Sequence, residues 1–223
     1  MPEPSWLGAV DDPHLPMNVA WSPTLGYAAL DSEVRQVCEH AVGLLAGMGA
    51  HVTETDQVFS DDPVVPWLTL TSAYCLRTVE QWRGTESWTS LDPGLAAQVE
   101  WAAGLSALDL VKAEDQCHLL NLRLVALFHD VRLLVTPTVA GATPICGENG
   151  LIDGEPDVNW VRFTYPFNLT RSPAGTVCIG FTPSGMPVGL QLIGPQHGDL
   201  VVLRAMAALE RALAIDTLAA VTG

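Results

Sequence analysis

Apolar positions along the chain switch between a helical and an extended period. From Ser32 to Met48 they fall at Val34, Val37, Cys38, Ala41, Leu44, Leu45 and Met48, the three- and four-residue spacing of an amphipathic helix. Asp31 stands ahead of this run as an N-cap, Glu33 adds an acidic first turn, and Gly49 follows as the residue that closes the last turn. Met17–Ser22 and His51–Thr55 flank the helix as short strands. A strand, a helix and a strand in this order predict an α/β layer.

Three further helices are expected over Asp62–Trp82 with Pro63 in its first turn, Leu91–Leu105, and Ala107–His129. The last carries a stripe of Leu110, Ala113, Cys117, Leu120, Leu124 and Leu127. Arg132–Val139 reads as a strand, Ala140–Val158 as a loop rich in Gly and Pro, and Asn159–Leu169 as a short helix broken by Pro166. Gly175–Phe181 and Pro187–Ile193 are apolar runs on either side of Thr182-Pro183-Ser184-Gly185, a turn in which Pro183 presets φ and Gly185 supplies a positive φ. Pro187 and Gly189 are awkward in a central strand, so the second strand is expected to start at Val188 or to lie near a close backbone contact. Asp199 is expected to cap a final helix with Val202, Met206, Leu209 and Leu213 on one face. Residues 1–16, with Pro2, Pro4, Pro13 and Pro16, lack periodicity and read as a linker or arm, and residues 17–223 read as one unit without internal repeats. The expected fold is α/β, a mixed sheet with flanking helices.

Composition narrows the function classes. The 223 residues are 48% hydrophobic and 16% charged, with a mean hydropathy of +0.26. That is apolar enough to imply a large core or a surface meant for a partner. Twenty-five acidic against ten basic residues leave a net charge of −15 and no basic run, which argues against nucleic acid and anionic membrane as partners. Cys38, Cys75, Cys117, Cys146 and Cys178 form no C-x-x-C pair, so neither a zinc ribbon nor a thioredoxin-type site is supported; no metal and no cofactor are expected. There is no basic segment leading into an apolar run at the start and no stretch of 18 apolar residues, so the expected location is a reducing cytoplasm.

The stretch Arg162–Pro195 reads RFTYPFNLTRSPAGTVCIGFTPSGMPVGLQLIGP. Its wording, with Leu134-Val135-Thr136-Pro137-Thr138 upstream, resembles the C-terminal region of the amidase signature family, serine-nucleophile enzymes that hydrolyse amides. The helix ending in Gly49-Ala50 before a strand is similar to the module that follows the catalytic core in that family. The resemblance implies that residues 17–223 form the C-terminal part of an amidase-like α/β domain.

The family's chemistry implies a Lys base, a bridging Ser and a nucleophilic Ser in a Gly/Ser-rich segment, whose backbone can approach the substrate and present N–H groups to an oxyanion. No such segment is present. The ten serines are scattered, and the one lysine, Lys112, has Asp109, Glu114 and Asp115 near it, which favour its charged form where a base must be neutral. No catalytic residue is transferred to this chain, and the chain by itself is expected to be inactive. Other chemistry-bearing residues have simpler readings. His118 and His129 are eleven apart on one helix with no H-E-x-x-H. Ser184 is explained by its turn and lacks a G-x-S-x-G context. Cys146, on a Gly-flanked loop, lacks a basic neighbour or helix N-terminus to activate it.

What the resemblance does imply is pocket wall. Ile145, Cys146, Trp160, Phe163 and Thr164 are candidate substrate-binding residues, mostly apolar shape-setters, with Trp160 and Phe163 equally readable as core aromatics. Val161 stands where glutamine-handling relatives carry an Asp, which argues against glutamine specificity. The expected function is part of an amidase acting on a small-molecule amide, with either a catalytic N-terminal half or a second copy of the chain as partner and with exposed apolar surface. The alternative is a non-catalytic amidase-like binding or interaction protein.

Overall fold

A computed structural model describes residues 5–215. The element order is α1 (Trp6–Asp11), β1 (Asn18–Trp21), α2 (Ser32–Gly47), β2 (His51–Glu54), α3 (Val64–Val79) with a trailing 3-10 turn at Glu80–Trp82, α4 (Glu86–Thr89), α5 (Pro93–Ala102), α6 (Ala107–Asp130), β3 (Leu133–Pro137), β4 (Gly150–Ile152), β5 (Glu155–Asp157), α7 (Tyr165–Thr170), β6 (Ala174–Phe181), β7 (Pro187–Ile193) and α8 (Asp199–Leu213).

The main sheet has strand order β2-β1-β3-β7-β6. β1 runs parallel to β2 and β3, with Val19 opposite His51's neighbour Val52 on one side and opposite Leu133 on the other. β7 is antiparallel to both β3 and β6, placing Val135 opposite Leu192 and Ala174 opposite Ile193. The sheet is therefore mixed. β3 is its central strand and all five of its residues are buried, as a strand covered on both faces must be. α2 packs on β3, β6 and β7; α8 packs on β6 and β7. α3, α5, α6 and α7 form a helical layer of their own, with α6 stapled to the sheet through Leu120, Leu124 and Phe128.

α2 forms where its stripe and cap require it. Asp31 accepts hydrogen bonds from the Glu33 and Val34 N–H groups at 2.9 and 3.3 Å, and Val34, Cys38, Ala41 and Leu45 are buried. α6 opens with a reciprocal capping box between Ser106 and Asp109. α5 begins just after Leu91, at Pro93, because Asp92 caps it and Pro93 fits the first helical position.

Five local expectations are corrected. The stretch read as a linker or arm contains α1, which docks on α8, buries Ala9, and is held by an Arg211 Nη2 hydrogen bond to the Val10 carbonyl at 3.0 Å. The loop 140–158 contains the β4–β5 hairpin, whose turn residues Asp153 and Gly154 both have positive φ, at 49° and 83°, as a two-residue primed turn requires. Pro166 does not break α7 but sits in its first turn, where no intrahelical N–H is lost. Pro187 is the first residue of β7, one position ahead of Val188, and pairs with Phe181 at the turn end of the hairpin. The N-cap of α8 is Gly198, with Asp199 in the first turn.

Candidate functional site

The site region is the end of the sheet where β3 runs into the segment 138–164. Its anchor is a reciprocal tie to α2. Asp31 Oδ2 accepts from the Asp153 N–H at 2.8 Å, Asp153 Oδ1 accepts from the Ser32 N–H at 2.9 Å, and the Asp31 N–H donates to the Ala140 carbonyl at 2.8 Å. The Ser32 N–H bond, helped by the Ser32 side chain, holds the Asp153 carboxyl below the usual carboxylate range. The Ala140 N–H then donates to the Trp160 carbonyl at 2.7 Å. Glycines allow the close passages. A Cβ on Gly141 would stand 1.9 Å from the Leu151 carbonyl oxygen, and one on Gly150 would stand 2.3 Å from the Trp160 ring.

Beneath this segment lies a set of buried polar contacts. Gln191 of β7 is 5% exposed, and its Nε2 donates to Thr136 Oγ1 at 3.1 Å and to the Phe163 carbonyl at 2.9 Å. Thr136 Oγ1 donates to the Pro137 carbonyl. Tyr27 Oη donates to the Arg162 carbonyl at 2.7 Å. The Arg162 guanidinium grips both Asp157 oxygens at 2.7 and 2.6 Å, and its Nε donates to the Asn159 carbonyl. Tyr165 Oη donates to Asp62 Oδ1, and its ring stacks on Trp67 at 5.1 Å. Burial raises the pKa of both phenols, helped for Tyr165 by its bond to the Asp62 carboxylate, so both stay protonated donors.

The five predicted wall residues are spread over this frame. Phe163 is a core aromatic, 0% exposed, with its backbone held by Gln191. Trp160 is half-buried against Gly150. Thr164 uses its hydroxyl on the Val161 carbonyl at 2.9 Å. Ile145 and Cys146 lie on the exposed part of the loop, Ile145 at 71% exposure. The narrow crevice where this loop meets the β6–β7 turn, lined by Val139, Gly141, Thr182 and Gly189, includes none of the five. Sequence reasoning did not pick out Tyr27, Asp62, Arg162 or Gln191, whose partners are distant in the chain. Only Asp153-Gly154 carried a local signal, as a hairpin dipeptide.

The remaining candidates occupy ordinary surroundings. Lys112 is exposed on α6, and Ser106, the serine nearest to it in the chain, is spent on its capping box. His118 and His129 are exposed, and His129 contacts Asp130. Ser184 Oγ and Thr182 Oγ1 are 2.8 Å apart inside their turn. Among the described residues, no group of three His, Cys, Asp or Glu side chains is placed to hold a metal ion.

A mixed sheet whose central Pro-Thr strand pairs with the strand of the GLQLIGP segment defines an α/β chain built like part of an amidase signature enzyme. The chain belongs to the Amidase family, whose model matches residues 2–203. It is 32% identical over 206 residues to an acylamidase of Rhodococcus erythropolis, covering 87% of this chain and 42% of that protein. It is 29% identical over 196 residues to a fatty acid amide hydrolase of Medicago truncatula, covering 81% of this chain and 30% of that protein. Among solved structures, a bacterial aryl acylamidase of the amidase signature family superposes with a TM-score of 0.81 at 22% identity, over 93% of this chain and 46% of that one. A 6-aminohexanoate cyclic dimer hydrolase superposes with a TM-score of 0.77 at 22% identity, over 96% of this chain and 48% of that one. The chain thus spans less than half the length of these relatives.

Proposed function

We propose that this chain is the fold-and-wall part of an amide hydrolase, and that the Lys base and both catalytic serines lie outside it. The observation that carries this reading is the extent of the match: the family covers residues 2–203, yet the same region makes up 42% of the acylamidase. In support, the one lysine faces solvent on α6 among acidic neighbours, and none of the described serines lies in a Gly-rich segment. The substrate is a small-molecule amide. The segment 138–164, braced by Asp31–Asp153 and Gln191, supplies the wall, with Ile145, Cys146, Trp160 and Thr164 nearest to solvent and Phe163 as the packed base under them.

The partner is the catalytic part of such an enzyme. α6 turns Leu108, Val111, Leu119, Leu122 and Val125 outward, each more than half exposed, which is more apolar surface on one helix face than water alone favours. The test is amide hydrolysis by the purified chain with fluorophosphonate labelling and intact mass. No turnover and no adduct are expected. Turnover with a stoichiometric adduct on a serine of this chain would overturn the reading.

A further inference from the structure

A second cleft lies away from the loop 138–158. It opens between α3, α6 and α7 with a volume of about 620 Å³, within the range of small-molecule sites. Trp67, Leu70 and Tyr74 of α3 form one wall; Glu114, Cys117 and His118 of α6 form the other; Asn168 to Arg171 close one end. The chain is strongly acidic, but this cleft holds an uncommitted cation. Arg171 lines it, and among the described residues its guanidinium has no ion-pair partner within 4.0 Å and no hydrogen-bond acceptor. Glu114 and His118, four apart on α6, line the wall opposite Trp67.

The backbone at Arg171 is a second, independent feature. It closes α7 in the left-handed conformation, at φ 53° and ψ 34°, a position where glycine is the relaxed residue. A long cationic side chain is held there at a conformational cost, on the rim of an aromatic-walled cleft.

We propose that this cleft binds an organic monocarboxylate with an aromatic or branched apolar body. The carboxylate sits on the Arg171 guanidinium fork, which matches its two oxygens, and the body lies along Trp67, Leu70 and Tyr74. Binding requires no turnover, so the site stands or falls separately from the amidase reading.

The probes are 3-phenylpropionate and its neutral amide, titrated into the ¹⁵N-labelled 223-residue chain and followed by amide shifts. For a ligand of this size a Kd of about 0.1–1 mM is expected for the carboxylate, with shifts confined to residues 67–74, 114–121 and 168–171. The neutral amide is expected to bind at least about ten-fold more weakly. Arg171→Gly suits the left-handed backbone, so it keeps or raises the Tm while weakening the carboxylate by about ten-fold or more. Arg171→Lys, with charge but no fork, falls between. Equal binding of the two probes, unchanged affinity in Arg171→Gly, shifts outside these segments, or no saturation by 10 mM would each overturn the proposal.

Discussion

Asp31 and Asp153 stand 122 positions apart and their carboxylates cross over: Asp31 Oδ2 takes the Asp153 N–H at 2.8 Å, and Asp153 Oδ1 takes the N–H of Ser32, the residue after Asp31, at 2.9 Å. With its other oxygen Asp31 also caps α2. One carboxylate therefore fixes both the start of the main helix on the sheet and the tip of the loop that follows the Pro-Thr strand. Asp31→Ala is expected to cost about 1–2 kcal/mol, at or above the usual loss of an N-cap, with Asp31→Asn costing much less. Urea unfolding with a constant m-value checks it.

The same tie predicts an acid response. Asp153 and Asp109 both have depressed carboxyl pKa values, Asp153 through the Ser32 N–H bond and Asp109 through its Ser106 hydrogen bonds. A depressed folded pKa stabilises above the unfolded value, near pH 4, and that stability is lost as pH falls through the lower folded value. The Tm is therefore expected to fall below about pH 4. Asp153→Asn, which keeps an acceptor and tolerates the positive φ, is expected to flatten this slope in calorimetry across pH 2–6. An unchanged slope would remove Asp153 from the account.

Gln191→Leu leaves Thr136 satisfied through the Pro137 carbonyl but strands the buried Phe163 carbonyl. The expected loss is about 1–3 kcal/mol. Gln191→Glu is expected to be worse at neutral pH, since an ionised carboxylate would then face the carbonyl oxygen, and to recover as pH drops and the group becomes a donor. A Gln191→Glu variant more stable than Gln191→Leu at pH 7 would contradict this.

Two glycines separate close approach from simple flexibility. Gly141→Ala drives a Cβ to within 1.9 Å of a backbone oxygen and is expected to destabilise by about 2 kcal/mol or more. Gly43→Ala, on the exposed face of α2 with nothing within 4 Å, is expected to stabilise by about 0.5–1 kcal/mol. Thermal unfolding of the pair in one buffer gives both signs.

Thiol chemistry should follow burial. The Cys38 thiol is fully buried in α2, and burial pushes its pKa up to about 12. Cys146 is exposed on the loop. Brief maleimide treatment of the native chain is expected to modify Cys146 and spare Cys38, which reacts only in denaturant. Early labelling of Cys38, read by peptide mass, would mean that α2 opens readily from the sheet.

The sequence by itself determined the elements whose stabilising contacts are local or periodic. α2 follows from one cap and a stripe, α6 from its stripe, and the β6–β7 hairpin from a Pro-Ser-Gly turn between two apolar runs. Family membership was legible too, because the wording around β3, α7 and β7 is continuous and ordered. The β4–β5 hairpin escaped notice although Asp153-Gly154 marks its turn, since three-residue strands containing Pro156 carry no periodic signal. Only the tertiary structure decided the strand order, the burial of Phe163, and the bonds Asp31–Asp153, Gln191–Phe163 and Tyr165–Asp62. Those bonds join groups 28 to 122 residues apart, so no pattern along the chain records them. They arise where folding buries polar atoms, which must then find partners in whatever segment lies nearest.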